Sequence, residues 1–226
     1  MFQTQGLASE VSRERDEFFP TVPDGTITIM FTDIESFTAL TERLGDRRTQ
    51  EVLRAHWAIV REQVALHGGR EVKTQGDSFM VTFRSARRAL LCAMAVQRAM
   101  DGHGKLCPNE SICVRIGLHA GEVISEAGDF FGKNVIVASR VADRARGGEI
   151  LVSSLLKDLV ESCGDFTFDQ SRVVKLKGLT GSHRLFRVAW SEDSFAPAGT
   201  GPLAMTTERA HDGVAEIARD TRRGRE

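Results

Sequence analysis

Residues 25–37 read Gly-Thr-Ile-Thr-Ile-Met-Phe-Thr-Asp-Ile-Glu-Ser-Phe, and the rest of the chain is organised around this stretch. Ile27, Ile29 and Phe31 alternate with threonine and methionine residues. A period of two in residues that favour extended backbone predicts a β-strand. The predicted strand brings the carboxylate of Asp33 to its end.

A second acidic residue, Asp77, occupies a similar place later in the chain. Gly76-Asp77 is a two-residue hairpin signal between short strands predicted at 70–74 and 78–83. If this hairpin lies beside the first strand, Asp33 and Asp77 become neighbours, and such a pair shares a proton or holds a cation. Oxygen ligands of this kind favour Mg²⁺ or Mn²⁺ together with nucleotide phosphates. The alternative is structural: an Asx turn or cap at the first aspartate and an ordinary hairpin residue at the second.

The composition is that of an ordinary globular domain. The chain has 226 residues, of which 41% are hydrophobic and 27% are charged, enough for a sizeable core. The formal net charge of −1 favours neither nucleic acid nor an anionic membrane as a partner. No apolar run approaches the roughly 18 residues of a membrane span, and residues 1–17 lack the apolar region of a secretory signal. Without CxxC spacing, the cysteines are expected to be reduced thiols in a cytoplasmic protein.

Hydrophobic periodicity predicts a mixed α+β domain. The predicted helices are a short one ending at Leu44, then about 47–67, 85–101 and 133–146, and a short one from Ser154; the later strands are 111–120, 149–153, 173–177 and 185–190. This order contains a ferredoxin-like β-α-β-β-α-β core with added strands. We expect a tail or helical stub at 1–24, the domain at 25–190, and a poorly ordered tail at 191–226.

Five short motifs follow one another through this predicted domain. They are Phe31-Thr32-Asp33-Ile34, Lys73-Thr74-Gln75-Gly76-Asp77, Arg115-Ile116-Gly117-Leu118-His119-Ala120-Gly121, Asp129-Phe130-Phe131-Gly132 leading into Ala138-Ser139-Arg140, and Leu176-Lys177-Gly178. Each motif alone is weakly specific. In this order and spacing they resemble the catalytic domain of class III nucleotide cyclases, and in detail the bacterial class IIIc subgroup with homodimeric catalytic domains. The resemblance implies the class III cyclase fold.

The resemblance also implies a reaction and its cofactors. One chain of a two-fold homodimer would supply the metal ligands Asp33 and Asp77, with Ile34 beside them, and the other chain would supply base recognition. Phe37 is assigned to substrate binding. Two Mg²⁺ or Mn²⁺ ions would assist attack of the ribose 3′ oxygen of ATP on the α-phosphorus, giving 3′,5′-cyclic AMP and pyrophosphate.

The resemblance assigns Lys73 and Asp129 to adenine selection. A lysine donor and a carboxylate acceptor complement the ring nitrogen and the exocyclic amine of adenine, whereas guanine presents the reverse pattern. Arg140 is assigned to the charge that develops on the phosphoryl group, and Lys177 to the triphosphate. The alternatives to these functional roles are structural: Lys73 would be a solvated lysine on an edge strand, and Arg140 would only form an ion pair with Asp143 or Glu149.

The chain departs from the family pattern at one position. Most members have an asparagine four residues before the arginine, where it helps to orient the ribose; here that residue is Ile136. Positions 136 and 140 share a helix face, whereas Asn134 lies about 200° away around a helix and is not an obvious substitute. Lys133 faces the same side as Arg140. His119 follows an apolar strand and is assigned no chemistry.

Three functional classes remain open at this stage. The first is an active adenylate cyclase that works as a homodimer. The second is a guanylate cyclase, or a cyclase of relaxed specificity. The third is a degenerate cyclase domain that binds nucleotide or a partner cyclase chain, and Ile136 is the reason to keep it. The regulatory domain or partner is not identified by the sequence.

Overall fold

The computed structural model describes residues 25–191. The tails expected at 1–24 and 191–226 lie outside this range, apart from Ser191. Across the described range, no helix has both the length and the apolar character needed to cross a membrane.

The described residues form nine strands and five α-helices. The strands are β1 Thr26–Ile34, β2 Arg70–Gln75, β3 Ser78–Phe83, β4 Val114–Glu122, β5 Ile124–Glu126, β6 Asp129–Phe131, β7 Ile150–Ser153, β8 Phe168–Val174 and β9 His183–Val188. The helices are α1 Phe37–Leu44, α2 Asp46–Leu66, α3 Ala86–Leu106, α4 Lys133–Ala142 and α5 Ser154–Glu161, with a 3₁₀ turn at Pro108–Glu110.

Seven strands form one sheet in the order β2-β3-β1-β4-β7-β9-β8, and β5 and β6 form a separate hairpin. β1 lies between β3 and β4 and is antiparallel to both. The strands β1 to β4, with the helices that connect them, make the ferredoxin-like β-α-β-β-α-β core, and β7, β9 and β8 extend it. The predicted fold class is therefore confirmed.

β1 is buried on both of its faces. Ile27 and Ile29 pack with Phe130 beneath β6 and α4, whereas Met30 and Ile34 belong to the main core. Ile29 and Met30 are both fully buried. The alternation in this strand therefore separates two apolar layers, and burial of both fixes the position of the strand that ends at the first aspartate.

The structure corrects the bounds of several predicted elements. The helix predicted at about 133–146 ends at Ala142, because the main-chain nitrogens of Arg144 and Ala145 bond to carbonyls three residues back, as in a turn. The third helix does not end at 101 but continues to Leu106 through Gly102 and Gly104. Gly104 serves close packing there, because a Cβ would lie 2.7 Å from the Ser111 hydroxyl oxygen. The strand predicted at 173–177 is instead β8, and it ends at Val174. The buried side chain of Leu176, which follows the strand in a loop and packs beneath α4, produced the misleading alternation.

The close contact of β4 with α4 gives a test of the packing. A Cβ on Gly117 would lie 2.1 Å from the backbone nitrogen of Ala142. Gly117→Ala is therefore expected to lower the free energy of unfolding by about 3 kcal/mol, because the helix must move away from the sheet. The control is Gly102→Ala in α3, where nothing lies within 4 Å of the added atom; it is expected to raise stability by about 0.5–1 kcal/mol. Urea unfolding measures both, and equal effects would contradict the described packing.

Candidate active site

Helix α2 holds the turn that carries Asp77. The indole Nε1 of Trp57 donates to the carbonyl of Gly76 at 3.1 Å, and Nε2 of His56 lies 3.1 Å from the carbonyl of Asp77. Burial lowers the pKa of His56 to about 4, so near neutral pH the ring is uncharged and its Nε2–H donates. Gly76 has a φ of +60°, which suits a glycine in a two-residue hairpin turn.

The structure brings Asp33 and Asp77 together. The main-chain nitrogen of Ile34 donates to Oδ2 of Asp77 at 2.9 Å, and the two carboxyls lie close enough for each to shift the pKa of the other. Burial, followed by the hydrogen bond and negative charge of Asp33, raises the pKa of Asp77 to about 6. Burial alone would raise the pKa of Asp33 as well, but hydrogen bonds from Asp77, Arg115 and Ser78 outweigh it and hold that pKa below its usual value. Asp77 is therefore the carboxyl of the pair that takes up or releases a proton near pH 6, whereas Asp33 stays ionised.

Arg115 is a site residue that sequence reasoning missed. It lies directly opposite Asp33 in the pairing of β1 with β4. Its Nε donates to Oδ2 of Asp33 at 2.9 Å, and its Nη2 contacts the same oxygen. This contact supplies the positive charge that balances the aspartate. Ser78 adds a hydroxyl donor to the other oxygen of Asp33 at 2.8 Å.

The adenine pair assigned by resemblance is formed within one chain. Nζ of Lys73, on β2, lies 2.7 Å and 3.0 Å from the two carboxylate oxygens of Asp129, the first residue of β6. The main-chain nitrogen of Phe130 also donates to Asp129, at 2.8 Å. The hydrogen bond from Lys73 is the main cause that lowers the pKa of Asp129. Lys73 remains half exposed, so a ligand can reach the pair.

Arg140 lies on α4 and forms an ion pair with Asp143, one of the two partners considered for a purely structural role. Its Nη1 donates to Oδ2 of Asp143 at 2.7 Å, and its Nε donates to the carbonyl of Lys177 at 3.3 Å. Lys177 lies in the turn that follows β8 and not in a strand, and it is exposed. The structure therefore brings these two cationic residues together, one through its guanidinium and the other through its main chain.

The residues around the substituted asparagine position have separate roles. Asn134 is turned into the protein, where its Nδ2 donates to the carbonyl of Glu122 at 2.8 Å. Its Oδ1 lies 3.1 Å from Nε2 of His119, whose other ring nitrogen lies 2.7 Å from the Ser153 hydroxyl. Asn134 thus does not replace the missing asparagine, and His119 is a buried structural residue. Ile136 is 48% exposed on the face of α4 that also carries Arg140.

The remaining two predicted residues follow Asp33. The side chain of Ile34 is buried in the main core, so only its main chain is available to a ligand. Phe37 begins α1, and its half-buried ring packs against the same core. Neither position contradicts the assignment made by resemblance.

Comparison with known proteins identifies the family. The model of the adenylate and guanylate cyclase catalytic domain matches residues 20–189. The chain belongs to this family. It is 35% identical over 175 residues to an adenylate cyclase of Mycosarcoma maydis, a match that covers 66% of this chain and 7% of that protein. It is 33% identical to putative adenylate cyclase 3 of Rhizobium meliloti over 67% of this chain and 26% of that protein. The cyclase domain thus spans about a quarter or less of these relatives' length.

The fold of this cyclase domain is shared with solved cyclases. The crystal structure of the adenylyl cyclase CyaB from P. aeruginosa superposes with a TM-score of 0.67. The match covers 76% of this chain and 97% of that one, at 21% identity. At that level the likeness concerns the fold alone.

The two aspartates have the donor chemistry that a divalent cation requires. Their oxygens are hard ligands, and the raised pKa of Asp77 reflects the burial and negative charge that a bound cation would offset. Within residues 25–191, no group of three or more acidic, histidine or cysteine side chains forms a complete metal cage. Further oxygen ligands would therefore come from the main chain, from water or from nucleotide phosphates, as is usual for Mg²⁺.

The opposite pKa shifts of the aspartates predict opposite effects on stability. In metal-free buffer at pH 7.5, Asp77→Asn is expected to raise the free energy of unfolding by about 1 kcal/mol, a full two-unit shift being reduced by partial exposure. The pKa of Asp77 is about 6 in the folded state against 3.8 when unperturbed. The Asp77 carboxyl therefore favours the folded state fully below pH 4, where it is protonated, and this contribution to stability is lost as pH rises through 6. The gain in stability from Asp77→Asn should consequently vanish at pH 4.

The matched variant is Asp33→Asn. Because the pKa of Asp33 is lowered, its contribution is present above the unfolded pKa and lost as pH falls. This variant is expected to destabilise the protein at pH 7.5, since Arg115 loses its charged partner. Urea unfolding followed by tryptophan fluorescence measures both variants. A loss of stability of the same size in Asp77→Asn at pH 7.5 would contradict the described electrostatics.

Proposed function

We propose that this chain is the catalytic domain of an adenylate cyclase, which converts ATP to 3′,5′-cyclic AMP and pyrophosphate. The observation that carries the proposal is the pair of Lys73 and Asp129, with Nζ 2.7 Å from the carboxylate. It sets a cationic donor and an anionic acceptor side by side on the exposed edge formed by β2 and β6. Family membership indicates the class of reaction, and this pair indicates that the preferred nucleobase is adenine.

The base preference follows from hydrogen-bond chemistry. Adenine offers a ring-nitrogen acceptor for the lysine and an exocyclic amine donor for the carboxylate. Guanine offers a carbonyl acceptor and a ring N–H donor in the reverse arrangement, which mismatches both groups. A site built on hydrogen bonds rejects the wrong partner strongly, because a mismatch leaves polar groups unpaired. The Asp129 carboxyl is ionised at neutral pH, and the hydrogen bond from Lys73 lowers its pKa further, so this side chain accepts hydrogen bonds and donates none.

Asp33 and Asp77, with the main chain of Ile34, would hold two Mg²⁺ or Mn²⁺ ions together with the triphosphate. Bound there, the ions would lower the pKa of the ribose 3′ hydroxyl and neutralise the leaving pyrophosphate. The raised pKa of Asp77 means that this carboxyl must lose a proton before it can bind a cation. Arg115 donates a hydrogen bond to Asp33 and helps to keep the pKa of that carboxyl low, so Asp33 is ionised and able to bind a cation at neutral pH.

Arg140 would stabilise the negative charge that develops on the phosphoryl group. It is a permanent forked cation, and its contacts with Asp143 and the Lys177 carbonyl fix its direction. The exposed side chain of Lys177 would reach the triphosphate, and Phe37 would line the substrate site. These roles need no acid–base triad, since positioning and charge carry most of phosphoryl transfer.

The active site would be shared between two copies of the chain. Large apolar side chains are exposed on the β5–β6 hairpin, which carries Asp129, and on α4, which carries Arg140: Ile124, Phe131 and Ile136, at 64%, 46% and 48% exposure. Exposed apolar side chains grouped beside a polar site are typical of an interface. In the homodimer, the metal carboxylates of one protomer would face Lys73, Asp129 and Arg140 of its partner.

A second candidate function rests on Ile136. An isoleucine cannot hydrogen-bond the ribose, and Asn134 is engaged inside the protein. A domain that binds ATP without turnover, or that completes the site of another cyclase chain, would retain Lys73 and Asp129 for the same chemical reason. The two functions differ in one result, which is whether this chain alone releases cyclic AMP.

The base-recognition role predicts a specific loss in Lys73→Glu. With two carboxylates facing adenine, kcat/KM for ATP is expected to fall at least 100-fold, about 3 kcal/mol, because the adenine ring nitrogen, an acceptor, is left facing another acceptor. The control is Lys105→Glu on α3, where the lysine pairs with Asp101 on the surface; its kcat/KM should stay within twofold of the parent. Equal effects of the two changes in a coupled pyrophosphate assay would reject the role of Lys73.

The shared site predicts complementation between inactive variants. Asp33→Ala removes a cation ligand from one half of the site, and Arg140→Ala removes the phosphoryl contact from the other half. Each protein alone is expected to lose activity at least 100-fold. Their equimolar mixture should regain up to about a quarter of the parental activity, because one site in a mixed dimer has both intact halves. Absence of recovery at every mixing ratio would contradict the shared site.

A further inference from the structure

A cavity of about 310 Å³ lies at the end of the sheet opposite to the paired aspartates. Its wall includes Ile27 at the start of β1 and Phe83 at the end of β3. Ile27 precedes Asp33 by six residues on β1, which places the cavity roughly 20 Å from that carboxylate at about 3.3 Å per residue. The cavity is therefore separate from the cation site.

The floor of the cavity is apolar and buried. Ile27, Phe83 and Phe130 line it, and all three side chains are at most 4% exposed. They belong to the two apolar layers that cover the faces of the sheet. Two of them are aromatic, so the floor presents flat surfaces to a ligand.

The rim of the cavity is cationic. Arg70 at the start of β2, Arg84 after β3 and Arg88 in the first turn of α3 all line it. The Arg70 guanidinium lies 5.9 Å from the centroid of the Phe130 ring, where the rim meets the floor. No acidic side chain of residues 25–191 lines the cavity. Cationic side chains from β2, from the residue after β3 and from α3 converge there, and such a cluster attracts an anion.

The arginines near the start of α3 differ in whether they have an acidic partner. Arg87, next in the chain, points elsewhere and pairs with Asp165. Among the described residues, by contrast, the side chains of Arg84 and Arg88 form no ion pair. The amino-terminal end of α3, a helix of 21 residues, adds its own positive potential on the same side. The positive charges of Arg84 and Arg88 are thus not neutralised by an acidic side chain of residues 25–191, and they remain available to a ligand.

We propose that this cavity binds a small organic anion in which a phosphate or carboxylate group is joined to a flat apolar body. The anionic group would contact the guanidiniums of Arg84 and Arg88, which suit planar two-point recognition. The apolar body would lie on the floor beside Phe130. The volume matches the lower end of ligand pockets, about 300 Å³. A ligand there contacts β2 and β6, the two strands that also hold the Lys73 and Asp129 pair.

Phenyl phosphate is the probe for the test, titrated calorimetrically into the full chain with EDTA and without nucleotide. Binding is expected for the parent and for the control Arg87→Gln. The double variant Arg84→Gln, Arg88→Gln should bind at least tenfold more weakly. Both substituted side chains are exposed, so the variants should fold, which circular dichroism checks.

Inorganic phosphate and phenol separate the two halves of the probe. Each alone is expected to bind at least tenfold more weakly than phenyl phosphate. The proposal is overturned if phenyl phosphate does not bind at millimolar concentration, if the double variant binds it equally well, or if phosphate alone binds as tightly. Because the readout requires neither a metal ion nor turnover, a failure of the cyclase proposal would leave this result unaffected.

Discussion

The carboxyls of Asp33 and Asp77 lie together in a half-buried site, and most of the surrounding fold serves to hold them there. Two acidic side chains do not stay together unless the surrounding fold holds them, and here burial, followed by the hydrogen bond and charge of Asp33, raises the pKa of Asp77. β1 supplies the first aspartate from a strand that is buried on both faces. The hairpin turn supplies the second, held by His56 and Trp57 from α2. Arg115 then balances the remaining charge.

The remaining site groups are carried by elements added to this frame. The β5–β6 hairpin brings Asp129 to Lys73, and α4 packs against β4 so closely that Gly117 admits no side chain. The turn after β8 accepts a hydrogen bond from Arg140. The carboxyl pair thus lowers the stability of the fold in order to be available to a cation. The ion pairs of Lys73 and Arg140, by contrast, form with partners of opposite charge before any ligand binds.

Local sequence patterns were sufficient to predict β1 and the turn that carries Asp77, but not the contacts between residues of different strands. The alternation in β1 and the Gly76-Asp77 turn are short-range signals, so both elements and the ferredoxin-like order were predictable. The partner of Arg115 depends on the register of two strands far apart in the chain, which no local pattern contains. The β5–β6 hairpin escaped prediction because its turn includes Ala127 at a φ of +49°, which an alanine adopts only when the surrounding structure requires it. The family resemblance, and not periodicity, supplied the roles of Lys73 and Asp129.

The most direct test of the account is a cyclase assay on the purified chain. ATP and GTP are each supplied with Mg²⁺ and with Mn²⁺, over a range of protein concentration. The account predicts cyclic AMP from ATP, little cyclic GMP from GTP, and activity that rises more steeply than protein concentration, because dimerisation assembles the site. Bound ATP with no cyclic product under any of these conditions would contradict it, and would assign the chain to nucleotide binding or to pairing with another cyclase.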